Sequence, residues 1–219
     1  MLVAPSILSA DFGNLASEIK AICDGGCDLI HIDVMDGSFV PNLACGMKMI
    51  HGLKGVADLV FDVHLMVNEP VRFVKRMQEA GADVISVHYE ACSNVAETLK
   101  EIKQCGIRAG IVLNPETSAE VLTEEIWKLA DVIQVMTVHP GRDGQHFIED
   151  TLDKIKDIRR RSTDTGEWKD IEVDGSINCG NIGKVIKAGA NIIVSGKALF
   201  NGNLAENIAN MKQQAAMEE

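Results

Sequence analysis

Residues 29–37 read LIHIDVMDG and combine an apolar run with two kinds of ionisable side chain. The apolar residues predict a buried β-strand, in which successive side chains point to opposite faces. Ile32 and Val34 then lie on one face, whereas His31, Asp33 and Met35 lie on the other. One face of this strand can pack against other elements, and the opposite face carries groups that can bind or react.

Strands of this kind alternate with helical stretches along the whole chain. Eight strand-like runs occur: LVAPSIL, DLIHIDVM, LVFDVHLMV, VISVHYE, RAGIVLN, VIQVMTV, IEVDGSI and NIIVSGK. Between them, segments such as LASEIKAICDGG, EPVRFVKRMQEAG, VAETLKEIKQCG, TLDKIKDIRRR and ENIANMKQQ show helical spacing, and several end in glycine. The alternation predicts an α/β protein, and eight units in 219 residues predict a single-domain (β/α)8 TIM barrel over residues 1–219.

A doubly wound open sheet is the alternative fold. No G-x-G-x-x-G motif follows the first strand, however, and similar glycine-containing turns precede three strands, at residues 26–28, 81–83 and 189–191. These repeated turns favour the barrel. Function is then expected at the carboxyl ends of the strands.

Composition excludes several classes of partner. The formal net charge of −11 opposes binding to nucleic acid or to an anionic membrane, and any phosphate site must be built locally from backbone N–H groups and a few cations. The six cysteines are scattered and lack zinc-site spacing, which is typical of reduced thiols in the cytosol. With no signal-peptide pattern and no long apolar run, the chain is expected to be a soluble cytoplasmic protein.

Polar side chains share one face on three strands. His31 and Asp33 lie on the second strand, Asp62 and His64 on the third, and Asp174 ends the seventh. Two histidines and two aspartates near strand ends predict a divalent-metal site, because imidazole suits zinc or iron and carboxylates extend the choice to manganese. Asp62 is expected to support a ligand rather than to be one. A buried structural role is expected for the remaining strand histidine, His88.

Methionines and glycine-rich loops extend this candidate site. Met35, Met66 and Met136 are either core residues or a polarizable cover over a substrate. Three loops, HPGRDGQHF, DGSINCGNIGKV and VSGKALFNG, follow the sixth, seventh and eighth strands. Loops at these places in a barrel often bind phosphate.

The segments SILSADFGNL, HIDVMDGSFVPNL, DVHLMV, GIVLNPET, PGRDGQHFI, IEVDGSIN and AGANIIVSGKALF resemble, in order, the ribulose-phosphate 3-epimerase family. The resemblance implies a (β/α)8 barrel, one divalent metal ion (Zn, Fe, Mn or Co), inversion of a ketose phosphate at C3 and a homo-oligomer. It implies His31, Asp33, His64 and Asp174 as metal ligands and Asp33 and Asp174 as the proton-transfer pair. It also implies substrate contacts from Ser6, His64, Met35, Met66, Met136, Gly141, Arg142, Asp143, Gly144, Gly175, Ser176, Gly196 and Lys197.

The metal and the two carboxylates suit this reaction. A metal beside the C2 oxygen makes the C3 proton more acidic, and epimerisation needs one base on each face of the planar enediolate. Other phosphate-binding barrels lack paired strand-end histidines, and a non-catalytic sugar-phosphate sensor needs no bases. Both are therefore less favoured.

The chain departs from the family pattern around the phosphate. The family usually reads NPGFGGQ where this chain reads HPGRDGQ, so Arg142 and Asp143 replace an aromatic residue and a glycine. Either these two side chains pair at the rim, or Arg142 and Lys197 neutralise Asp143 beside the phosphate. Ser176 and the sequence MTV resemble the allulose-6-phosphate 3-epimerase branch. D-Ribulose 5-phosphate is the expected substrate, and D-allulose 6-phosphate or another ketose phosphate is the alternative.

Overall fold

The computed structural model describes residues 1–27, 29–142 and 144–218. In this part of the chain the β-strands are β1 Leu2–Pro5, β2 Leu29–Asp36, β3 Leu43–Ala44, β4 Val60–Met66, β5 Val84–His88, β6 Arg108–Leu113, β7 Val132–Met136, β8 Asp170–Asp174 and β9 Ile192–Ser195. The α-helices are α1 Leu15–Asp24, α2 Met47–Leu53, α3 Val74–Ala80, α4 Val95–Gln104, α5 Glu124–Leu129, α6 Thr151–Thr165, α7 Ile182–Ala188, α8 Lys197–Phe200 and α9 Leu204–Ala216.

The strands form one curled sheet in the order β1-β9-β8-β7-β6-β5-β4-β2-β3. All neighbours are parallel except β2 and β3. A parallel bridge between Ser6 and His31 joins β1 to β2 and closes the ring. The predicted (β/α)8 barrel is therefore confirmed.

The short strand β3 was not predicted. It pairs antiparallel with the end of β2, where Met35 faces Ala44 and Asp36 faces Leu43. A two-residue strand has too little sequence to show an alternating pattern, and it lies in the loop that follows β2. It folds that loop back over the carboxyl end of the barrel.

Alternation along β2 separates apolar side chains that pack outward from polar side chains that face the interior. Ile30, Ile32 and Val34 belong to the main hydrophobic core, which fills the space between strands and helices. His31 and Asp33, between them in sequence, are also buried but belong to the opposite face. The division predicted for residues 29–37 is confirmed.

Helix ends follow local sequence signals. The side chain of Asn94 accepts the N–H of Glu97 at the start of α4, as expected of an N-cap residue. α7 ends at Gly189, whose φ of +116° suits glycine, and a Cβ there would lie 2.5 Å from Arg159. This is one of the glycine turns that the sequence placed before a strand. Among the described residues, no helix is long and apolar enough to span a membrane.

Candidate active site and metal centre

Four predicted ligands converge at the carboxyl end of the barrel. β2 and β4 are neighbours in a register that pairs Asp33 with His64. Oδ1 of Asp33 lies 3.5 Å from Nε2 of His31 and 3.2 Å from Nδ1 of His64. Oδ2 of Asp174, at the end of β8, lies 3.8 Å from His31 Nε2 and 3.7 Å from His64 Nδ1.

The donor set fits a divalent metal ion. One ligand atom from each of the four residues lies within 4.8 Å of the other three. Ligand atoms held at about 2.0 Å from a tetrahedral zinc ion lie about 3.3 Å apart, which is similar to these separations. In addition, Nε2 of His31 is buried and has no hydrogen-bond partner, and binding to a metal would satisfy it.

The two site carboxyls have opposite proton affinities. Burial would raise the pKa of Asp33, but the adjacent His31 and His64 hold it well below its usual range. Burial and the nearby charge of Asp33 raise the pKa of Asp174 to about 7. One carboxyl is therefore ionised at neutral pH, and the other is poised to hold a proton, which is an arrangement typical of acid–base pairs.

Two further carboxyls lie beneath His31. Nδ1 of His31 is 2.6 Å from Oδ2 of Asp62 and 3.4 Å from Oε1 of Glu172, and all three side chains are buried. Asp62 thus lies where a hydrogen bond to Nδ1 would leave Nε2 of His31 for a metal, and its supporting role stays a prediction. Glu172 was missed, although its place two residues before Asp174 on β8 puts it on the same strand face.

The surroundings of His64 were also missed. Nε2 of His64 lies 2.8 Å from Nε2 of His88, and the side-chain amide of Gln134 lies 3.2 Å from Nδ1 of His64. His88 is fully buried, as expected of a structural histidine, but it contacts a candidate ligand. Strand parity was the available signal for Gln134, because it precedes Met136 by two residues on β7.

Ser6 and the methionines lie around this cluster. The hydroxyl of Ser6 donates to Oδ2 of Asp33 at 2.7 Å, which holds that carboxylate in place. Met35 and Met66 are register partners and pack together with Val40. Met136 belongs to a separate buried group on the other side of the barrel.

The loops that follow β7 and β8 contact each other. The hydroxyl of Ser176 donates to the backbone carbonyl of Gln145 at 2.6 Å. Gly141 has a φ of +75°, and a Cβ there would lie 2.3 Å from Val40, so only glycine allows this close approach. The loop after β2 is attached as well, because the Asn42 side chain donates to the carbonyl of Gly141 at 2.9 Å.

The remaining predicted phosphate residues lie on the loops that follow β7, β8 and β9. Gly175 precedes Ser176. Gly196 directly follows β9 and lies against Ser9, so that a Cβ on Gly196 would be 2.5 Å from the Ser9 hydroxyl. Arg142, Gly144 and Lys197 are exposed. Asp143 lies outside the described residues, so its pairing with Arg142 stays a prediction.

The fold and the site together define a barrel protein with a candidate divalent-metal centre and two carboxyl groups of opposite proton affinity at the ends of its strands. The family model described as the ribulose-phosphate 3 epimerase family matches residues 2–200. The chain belongs to this family, which places it among the isomerases.

Individual proteins agree with this assignment. A ribulose-phosphate 3-epimerase from Bacillus subtilis is 48% identical over 200 residues, which cover 90% of this chain and 91% of that protein. A ribulose-phosphate 3-epimerase from Synechocystis is 44% identical over 221 residues, covering 100% of this chain and 96% of that protein. The solved structure of 3-keto-L-gulonate-6-phosphate decarboxylase from Vibrio cholerae matches with a TM-score of 0.73 and 14% identity, covering 100% of this chain and 98% of that one, which supports the barrel fold alone.

Proposed function

We propose that the protein interconverts D-ribulose 5-phosphate and D-xylulose 5-phosphate by inverting C3. The observation that carries this proposal is the pair Asp33 and Asp174, which meet at one polar cluster from different strands. In the sheet, β9 and β1 separate β8 from β2, so the two carboxyls approach the cluster from different sides. That arrangement supports proton removal from one face of a substrate and proton return to the other.

The four clustered residues would hold the metal. His31, Asp33, His64 and Asp174 would bind one divalent ion, of Zn, Fe, Mn or Co, which would polarise the C2 carbonyl of the substrate as a Lewis acid. Asp33, ionised and oriented by Ser6, removes the proton from C3 in one direction of the reaction. Asp174 gives a proton to the opposite face, and the two carboxyls exchange roles in the reverse direction.

The three loops that follow β7, β8 and β9 would bind the phosphate. Gly141 and Gly144 lie on the first, Gly175 and Ser176 on the second and Gly196 on the third, and their backbone N–H groups would donate to it. Successive N–H groups near left-handed residues form concave anion sites, which need no surplus of positive side chains in a protein of net charge −11. Arg142 and Lys197 would add local positive charge.

The methionines would line the remaining wall. Met35 and Met66 lie on adjacent strands, two residues beyond Asp33 and His64 respectively. Met136 is on β7, whose register pairs it with Asp174. Their polarizable side chains would exclude water from the reacting carbons.

Deuterium exchange at C3 tests the proposal. Metal-loaded protein is incubated in deuterated water with D-ribulose 5-phosphate, D-allulose 6-phosphate and further ketose phosphates, and C3 exchange and epimer formation are followed by NMR. We expect the highest rate with D-ribulose 5-phosphate. A faster reaction with D-allulose 6-phosphate would replace the substrate but keep the mechanism. Tight binding without exchange would instead indicate a sensor and overturn the proposal.

Two properties predicted from the sequence also remain proposals. A homo-oligomer is expected, and sedimentation analysis would determine its size. A cytoplasmic location is expected, and cell fractionation would test it.

A further inference from the structure

The two ring nitrogens of His64 point to different neighbours. One faces the candidate metal centre, and the other faces His88. Its Nδ1 lies 3.2 Å from Asp33 and 3.7 Å from Asp174, whereas its Nε2 lies 2.8 Å from Nε2 of His88. Nδ1, which the side-chain amide of Gln134 also approaches to 3.2 Å, is therefore the nitrogen that faces the candidate metal centre. A metal-binding ring nitrogen carries no proton, so neutral His64 must carry its proton on Nε2.

This requirement determines the proton position on His88. Because Nε2 of His64 donates, Nε2 of His88 must accept, and the proton of a neutral His88 must lie on Nδ1. Nδ1 of His88 lies 3.3 Å from Oε2 of Glu90, and an ionised carboxylate can only accept a hydrogen bond. The three side chains form a chain of hydrogen bonds with one direction, from His64 through His88 to Glu90.

The surroundings hold Glu90 in its accepting form. Its Oε1 accepts from the backbone N–H of Asn114 at 3.0 Å and from the hydroxyl of Thr117. Although burial opposes ionisation, hydrogen bonds from His88 and Thr117 lower the pKa of Glu90 to about 2. The carboxylate is therefore ionised throughout the neutral range.

Packing leaves the two rings few alternatives. His64 and His88 are fully buried and stacked with centroids 4.9 Å apart, and Phe39 covers His88 at 4.8 Å. This packing holds both rings in place, so what remains to be fixed is which nitrogen of each ring carries a proton.

We propose that His88 and Glu90 are positioning residues that hold His64 in the tautomer with an unprotonated Nδ1 facing the metal. The inference rests on the proposed function, because it takes the four clustered residues as a metal centre. It extends that function to a carboxylate outside the cluster. Neither His88 nor Glu90 is required to touch the substrate.

The variant Glu90→Gln reverses the direction of the chain. Its amide oxygen takes the place that accepts from Asn114 and Thr117, and its amide nitrogen then faces His88 and donates. His88 responds by moving its proton to Nε2, and His64 by moving its proton to Nδ1, where it blocks the metal. Loss of such an outer partner typically weakens metal binding 10–100-fold. We expect binding about tenfold weaker in this variant.

Histidine ring NMR tests the tautomers directly. Metal-free protein with ¹⁵N-labelled histidine is recorded at about pH 8, where ordinary histidines are neutral. We expect the proton of His64 on Nε2 and that of His88 on Nδ1, with both reversed in Glu90→Gln. A wild-type spectrum with the His64 proton on Nδ1 would overturn the proposal, and this measurement needs no variant to fold.

Zn²⁺ affinity, measured by chelator competition, tests the consequence. The matched control is Glu125→Gln, which removes a carboxylate from an exposed pair with Lys100 on the surface. We expect weaker binding in Glu90→Gln and wild-type binding in the control. Wild-type affinity and unchanged tautomers in Glu90→Gln would overturn the inference. If the wild-type protein binds no Zn²⁺, the proposed metal centre fails, whereas the metal-free spectra still decide the direction of the hydrogen bonds.

Discussion

Replacing Ser176 by alanine and by glycine separates two opposing effects at one residue. Ser176 has a φ of +55°, a left-handed conformation, and its hydroxyl donates to the carbonyl of Gln145 at 2.6 Å. The conformation costs about 1 kcal/mol for a residue with a Cβ. The hydrogen bond contributes about 0.5–1.5 kcal/mol. The two terms are similar in size and opposite in sign.

The two variants should therefore differ in stability but not in substrate binding. Ser176→Ala loses the bond and keeps the strain, so its free energy of unfolding should fall by about 1 kcal/mol. Ser176→Gly loses both, and its free energy of unfolding should stay close to the wild-type value. Both variants remove this contact between the loop after β7 and the loop after β8. If ordering that loop costs about 1 kcal/mol, KM should rise about fivefold in each, with little change in kcat.

Urea unfolding and initial-rate kinetics on D-ribulose 5-phosphate check this reasoning. Equal stability of Ser176→Ala and Ser176→Gly would show that the left-handed conformation carries no strain. A wild-type KM in Ser176→Gly would refute the role of the hydroxyl in holding the phosphate loop. An increase in KM in only one variant would assign the effect to backbone conformation instead.

Four further outcomes are expected. His64→Ala should lose bound metal, measured by elemental analysis, and unchanged stoichiometry would contradict the ligand assignment. Asp174→Asn, if it still binds metal, should lose epimerisation but keep deuterium exchange on one face of the substrate, because Asp33 remains; near-normal turnover would exclude Asp174 as a proton carrier. Lys197→Ala should raise KM by an amount equivalent to about 1.5–3 kcal/mol if the ammonium contacts the phosphate, and an unchanged KM would place it at the rim. The pKa of Glu90 is lowered to about 2, so its ionised form should stabilise the fold above pH 4.5 by about 1–2 kcal/mol, allowing for partial exposure. This contribution should be lost as the pH falls toward 2. Urea unfolding tests it, and a difference in free energy of unfolding between wild type and Glu90→Gln that is the same at pH 6 and pH 3 would contradict it.

Strand periodicity made much of the fold and of the metal cluster predictable. The alternation in LIHIDVMDG and FDVHLMV assigned His31, Asp33, Asp62 and His64 to interior faces without any knowledge of neighbouring strands. Convergence of strand ends at one end of a barrel then brought Asp174 to the same place.

What the sequence could not provide was the set of contacts between strands. The contacts of His88 and Gln134 with His64 depend on the register of the strands and on the directions of the side chains. No single segment of the sequence encodes either. Glu172 was not predicted as a site residue, because the residues it lies beside, His31 and Asp62, are on other strands. The residues that were missed are therefore those whose role is defined by a neighbour rather than by their own strand.

The closure of the sheet has a consequence for how the protein is made. β1 pairs with β9, so the first strand of the chain has no ladder partner until the last barrel strand has left the ribosome. Ser6 follows β1 and orients Asp33, and Asp174 comes from the strand before β9. A nascent chain that stops short of β9 leaves β1 and β8 without the strand that pairs with both, so the ring of strands stays open. Enclosure of the four-residue cluster is therefore completed late in synthesis.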